Sequence, residues 1–317
     1  MKGYQNKIVE ILFRDYFPVE EDWLIESQMV TKNNATKIAA VTIKKSSDAV
    51  ASVHYVNGFY FENYTPEAAA HRIYEIYEKE VRAGRMHLEL NTKNLTDWEQ
   101  VKNRIYYKVV NAKMNKDFLQ EVPNISLTPD LSLCFYIRHD DDATITITEK
   151  IAKTWGFPKD IIAQQLYEIA EANIKRTNPA TLCSMVDVLK EMLPPELYED
   201  AEIGGRFPLY VLTNKNKVFG AAAIAYERGQ LLERCREQIE KSLGIPLGGI
   251  YILPSSVHEC ILLPATPDTS VPELHAMVME VNRTQVAPEE KLSDEIFYFD
   301  KQDGLMQLTF NERVISR

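Results

Sequence analysis

No apolar run in this 317-residue chain reaches the 18 residues a membrane-crossing helix needs, and the N-terminal Met1–Lys7 stretch lacks the apolar core of a signal peptide. The expectation is a cytoplasmic protein with no membrane contact. Cysteine is scarce: Cys134, Cys183, Cys235 and Cys260 stand far apart with no Cys-x-x-Cys pair, which argues against a zinc ribbon or a dense disulfide framework and leaves buried free thiols. No glycine motif that cradles phosphate is present. Gly204-Gly205-Arg206 and Gly248-Gly249 lack the Lys-Ser/Thr or the third glycine such a loop requires, so they read as turns and no cofactor is expected. Basic residues are outnumbered, 36 Lys and Arg against 46 Asp and Glu, for a net charge of -10. That balance favours solubility and disfavours non-specific attraction to nucleic acid or anionic lipid.

What the chain does have is an ordinary globular make-up, 45% apolar and 26% charged, at a length beyond the usual single domain. Helical spacing predicts helices over Gly3–Tyr16, from Thr65-Pro66-Glu67 to Gly84, and from Thr96 through Ala112. Others are expected at Ile151–Trp155, after Pro158, over Pro179–Leu193, at Leu231–Leu243, and after a Ser270/Glu273 capping box. Strands are expected at Trp23–Thr31 and Lys37–Lys44, and at Ser52–Val56 and Phe59–Glu62 around an Asn57-Gly58 turn. Further strands are read at Leu131–Arg138 and Ala143–Thr148, Pro208–Thr213 and Val218–Tyr226, Ile250–Leu253 and Val257–Leu263, and Glu295–Phe299 and Leu305–Phe310. Hairpin-length connections imply an α+β fold, mainly antiparallel sheets with helices on one face. Pro123 marks the expected boundary between an N-terminal half, 1–122, and a C-terminal half, 123–317, packed closely together.

Chemistry-bearing side chains gather in Pro254-Ser255-Ser256-Val257-His258-Glu259. One reading makes Ser255 or Ser256 a nucleophile activated by His258 and oriented by Glu259. On a strand from Val257, however, His258 and Glu259 point to opposite faces and cannot act as a base and its orienter. The competing reading is a tight turn whose side chains bond their own backbone. Metal binding is not expected, because Leu262 stands where the second histidine of His-Glu-x-x-His would be. The His139–Asp142 turn lacks the spaced oxygens and glycine of a calcium loop. Lys102, Arg104, Lys108, Lys113 and Lys116, with Tyr106 and Tyr107 among them, read as the outer face of an amphipathic helix rather than a patch for an anionic partner.

Several ordered segments carry a resemblance: Leu209–Asn214, Phe219–Ala222, Tyr251–Glu259, Met277–Asn282 and Leu292–Asp294, preceded by Val110–Asn115 and Val122-Pro123. Together they resemble an uncharacterised domain-of-unknown-function family of Firmicutes bacteria, family 5688, over nearly the whole chain. Cys260 and Met279 depart from the aliphatic residues expected there, without touching a site built on Ser256 and His258. The resemblance implies an intracellular bacterial protein and brings no reaction with it. The leading expectation is therefore a non-catalytic cytoplasmic binding or accessory protein with a protein or small-molecule partner, Asn214 and Asn282 being polar neighbours of the site. The alternative is a serine-dependent hydrolase using Ser255 or Ser256 with His258.

Overall fold

The computed structural model describes residues 1–17, 21–46, 51–82, 95–138, 144–158, 161–192, 208–254 and 256–309. The chain forms two compact units, Met1–Asp97 and Trp98–Arg317. The fold is α+β, and its sheets are antiparallel. Pro123, the expected boundary, lies inside the second unit, because the strands on either side of it, Ile105–Asn111 and Leu131–Arg138, pair along their whole length.

In the first unit, helix α1 (Lys2–Asp15) precedes strands β1 (Trp23–Thr31), β2 (Lys37–Lys45) and β3 (Ser52–Tyr55). These form one sheet in the order β1-β2-β3. Ile8, Leu12, Val41, Ile43 and Ile73 meet in its core. Asn57-Gly58 does not make the expected hairpin. The Asn57 side-chain oxygen accepts the Ala39 N–H at 2.8 Å, extending the sheet's bonding by one position, and the chain turns into the short helix α2 (Asn57–Phe61). Helix α3 (Pro66–Arg82) starts as expected, with Thr65 Oγ1 accepting the Ala68 N–H at 3.2 Å.

The second unit opens with α4 (Trp98–Val101), and the expected long helix stops there: Ile105–Asn111 is strand β4. It is buried at six of seven positions, five of them aromatic or β-branched, and such a strand reads as a nearly continuous apolar run with no alternation to betray it. The basic and aromatic residues around it are accordingly dispersed. Lys102 pairs with Glu99, Lys113 with Asp130, and Tyr106 and Tyr107 bond Thr177 and Glu171. After α5 (Lys116–Glu121), strands β5 (Asn124–Ser126), β6 (Leu131–Arg138) and β7 (Thr144–Thr146) complete a four-stranded sheet with β4.

Helices α6 (Glu149–Thr154) and α7 (Ile162–Thr177) follow, and Ala180–Ser184 is strand β8 where a helix was expected, ahead of α8 (Met185–Met192). Strand β9 (Tyr210–Asn214) leads not to another strand but to a 3₁₀ segment, Gly220–Gly229, whose residues 220–226 are all buried. Three alanines suit helical backbone better than a ladder. Helix α9 (Gln230–Leu243), strands β10 (Ile250–Leu253) and β11 (Cys260–Pro264), helix α10 (Val271–Thr284) and strands β12 (Ile296–Asp300) and β13 (Gly304–Leu308) complete the unit. The six-stranded sheet runs β13-β12-β10-β11-β9-β8. Ser270 begins α10 without the side-chain cap expected of it. Among the described residues, no helix is long and apolar enough to cross a membrane. The His139–Asp142 turn, Gly204-Gly205-Arg206 and Ser255 lie outside the described residues.

The cysteines are not all buried as expected: Cys183 is exposed on β8. Burial pushes the Cys134 thiol up to about 11 and that of Cys235 to about 12, and Cys260 higher still, which suppresses their thiolates. Iodoacetamide at pH 8 is expected to modify only Cys183 in the folded chain and all four cysteines in denaturant, as counted by mass spectrometry. Rapid modification of a second thiol in the folded chain would contradict this burial.

Candidate functional site

The Pro-Ser-Ser segment joins β10 to β11, and β11 begins only at Cys260, so Val257 to Glu259 form a bend rather than the expected strand start. The bend is held by its own groups. Ser256 Oγ donates to Glu259 Oε1 at 2.9 Å and accepts the His258 backbone N–H at 3.0 Å. Ser256 is buried, and these two bonds engage its proton and one of its two lone pairs.

The His258 ring turns away from that hydroxyl. Its Nδ1 accepts the Phe219 N–H at 3.3 Å, so the neutral ring carries its proton on Nε2, which lies 3.6 Å from Glu290 Oε1. The ring stacks on Phe219 at 5.9 Å between centroids and 9° between planes. Phe219 is held in turn by the Tyr136 edge and by Lys108 Nζ, 4.9 Å from its ring centre. With Nδ1 occupied and Nε2 protonated, the imidazole in this arrangement has no free nitrogen with which to take a serine proton. Cys260 offers no nucleophile either, since burial and the neighbouring Glu259 charge both raise its thiol.

Around the bend lies an open cleft of about 480 Å³ lined by Lys217, Ser256, His258, Glu259, Gln285 and Glu290 over the apolar Val281 and Val286. Asn214 and Asn282 do not line it. Asn214 closes the turn before Phe219, its amide donating to Val218 O at 2.8 Å and accepting the Val218 N–H at 3.3 Å. Asn282 is buried and donates to Ser293 O at 2.8 Å and Asp294 Oδ1 at 3.0 Å, tying α10 to the segment before β12. Lys217, Gln285 and Glu290 were not singled out from the sequence. They come from separate segments, and nothing local marks them except that Glu290's neighbourhood also accepts the Val257 N–H through its backbone carbonyl. Among the described residues no cluster of three or more His, Cys, Asp or Glu is placed to hold a metal ion.

The family described as "Family of unknown function (DUF5688)" matches residues 2–301. The chain belongs to this family. No curated protein and no solved structure matches it. Family membership therefore accounts for nearly the whole chain and leaves the role of the cleft to its geometry.

The close approach of Gly220 sets that geometry. A Cβ there would fall on Thr213 Oγ1 and on the His258 carbonyl oxygen, the two atoms joined by a 2.7 Å hydrogen bond. Gly220→Ala is expected to cost about 1–3 kcal/mol of unfolding free energy, read by urea denaturation, because backbone must shift to admit the methyl. Gly248→Ala, where the methyl meets nothing within 4 Å, is expected to stay within about 0.5 kcal/mol of the parent. Equal costs for the two would remove the packing argument.

Proposed function

We propose that this chain is a non-catalytic binding protein of the bacterial cytoplasm, of Firmicutes origin, and that the cleft beside His258 takes a small zwitterionic ligand such as an α-amino acid. The observation that carries this reading is the division of labour among the side chains. Ser256, the Oε1 of Glu259 and the Nδ1 of His258 are engaged in holding the bend, whereas Lys217 and Glu290 at the cleft wall remain available. Among the described residues the Glu290 carboxylate has only the imidazole as an ion-pair partner, at 3.6 Å, and its side chain is 43% exposed. Lys217 makes no ion pair among the described residues. The Glu290 carboxylate suits an ammonium group, and the Lys217 ammonium suits a carboxylate. The resemblance of its ordered segments to a Firmicutes family supports the cellular setting.

Calorimetric titration with the free amino acids tests this. At least one is expected to bind, with N-acetylation or amidation of that ligand weakening it, and Lys217→Gln and Glu290→Gln each weakening it about tenfold or more. Ser256→Ala is expected to lower stability without abolishing any turnover. A fluorophosphonate probe that labels Ser255 or Ser256 in the folded protein, together with ester hydrolysis lost in both Ser256→Ala and His258→Ala, would establish the hydrolase instead.

A further inference from the structure

A second cavity, sharing no residue with the His258 cleft, opens at the other end of the same 3₁₀ segment. It holds about 280 Å³ and is walled by Leu127, Leu133, Ile224, Phe299 and Leu305, with Tyr167 and Arg228 at its polar side. Apolar cavities of about 150 Å³ already admit benzene, so this one has room for a ring or short branched chain with substituents. Among the described residues, Arg228 is its only charged lining residue, and no carboxylate lines it.

Arg228 is placed there by unusual backbone. Glu227, Arg228 and Gly229 have φ of 53°, 55° and 86°, and left-handed geometry is unfavourable for the first two. Bonds from α7 hold them: the Glu227 N–H donates to Glu171 Oε1 at 2.9 Å and the Arg228 N–H to Tyr167 Oη at 3.0 Å. The guanidinium lies 5.6 Å from the Tyr167 ring centre. Its nearest carboxylate, Glu168, is 3.9 Å away, and the Arg228 side chain is 67% exposed. The planar fork therefore retains donors for a second, closer carboxylate.

We propose that this cavity binds a small amphipathic carboxylic acid, its apolar body among Leu133, Ile224 and Phe299 and its carboxylate on Arg228. The apolar wall selects the body and the solitary guanidinium selects the sign of the charge, so an amine or a neutral alcohol of the same body binds less well. This site stands independently of the amino-acid cleft, since Lys217 and Glu290 take no part in it.

Titration calorimetry of the full chain with octanoate, phenylpropionate, 1-octanol and octylamine tests the assignment. At least one of the two acids is expected to bind about tenfold or more tightly than 1-octanol, with octylamine weakest. Arg228→Gln is expected to weaken that acid about tenfold or more while leaving the octanol affinity unchanged, and Leu305→Trp, which fills the cavity from a partly exposed rim position, to weaken both. Binding of neither acid, or acid binding indifferent to Arg228→Gln, overturns the proposal. Acid binding lost in Lys217→Gln but kept in Leu305→Trp would place the acid in the other cleft and overturn it equally.

Discussion

The second unit depends on one contact in which a side chain has no room: the backbone of Gly220 lies against the Thr213 hydroxyl and the His258 carbonyl. Thr213 projects from β9 and its hydroxyl donates to that carbonyl at 2.7 Å, so strand, bend and 3₁₀ segment meet at one point. The Ala221 N–H then reaches Val257 O at 3.3 Å, and Phe219 delivers both its N–H and its ring to His258. A larger residue at 220 separates all of these together. The bend around Ser256 is thus fixed by what is brought down onto it as well as by its own bonds.

The far end of the 3₁₀ segment is held by polar groups in largely apolar surroundings. Glu171 accepts the Tyr107 hydroxyl at 2.6 Å and the Glu227 N–H at 2.9 Å, while Tyr107 stacks on Tyr167 with 7° between ring planes. Burial, reinforced by the Glu171 charge, drives the Tyr107 phenol well above its ordinary range, so it remains a donor. Tyr167 bridges in its turn, donating to Ala225 O at 2.8 Å and accepting the Arg228 N–H. A buried network in which each member is bonded specifies one arrangement, because removing any one leaves its partner unsatisfied at about 1–3 kcal/mol.

The parts of the fold that were legible in the sequence are those whose signals are local. Periodicity with a cap or stop residue marked α1, α3, α7, α9 and α10, and runs bounded by turn residues marked β1, β2 and β10. Failures fell where tertiary burial replaces local pattern. Residues 105–111 are buried on both faces, the run at 220–226 is apolar all round, and Asn57 spends its side chain on Ala39 instead of on a turn. The site divides in the same way. Ser256, His258 and Glu259 were visible because they adjoin in sequence, whereas Lys217, Gln285 and Glu290 meet them only through folding.

Backbone strain explains why the rest could not be read locally. Among the described residues, Asn34, Ala35, Asn63, Lys217, Phe219, Glu227 and Arg228 are the non-glycine residues at positive φ. Asparagine enters that region readily, but Lys, Phe, Glu and Arg each resist it by roughly 1–2 kcal/mol. All four of these stand within the twelve residues 217–228, which border both cavities. Each has its N–H bonded: Lys217 to Asn214 O, Phe219 to His258 Nδ1, Glu227 to Glu171 and Arg228 to the Tyr167 hydroxyl. Three of the four acceptors are side chains from elsewhere in the unit. At about 0.5–1.5 kcal/mol for a neutral bond and more for one to a carboxylate, they offset strain of that size. The left-handed residues are therefore a product of the tertiary structure, and they set Phe219 against the His258 ring and Arg228 at the second cavity because His258, Glu171 and Tyr167 hold them there.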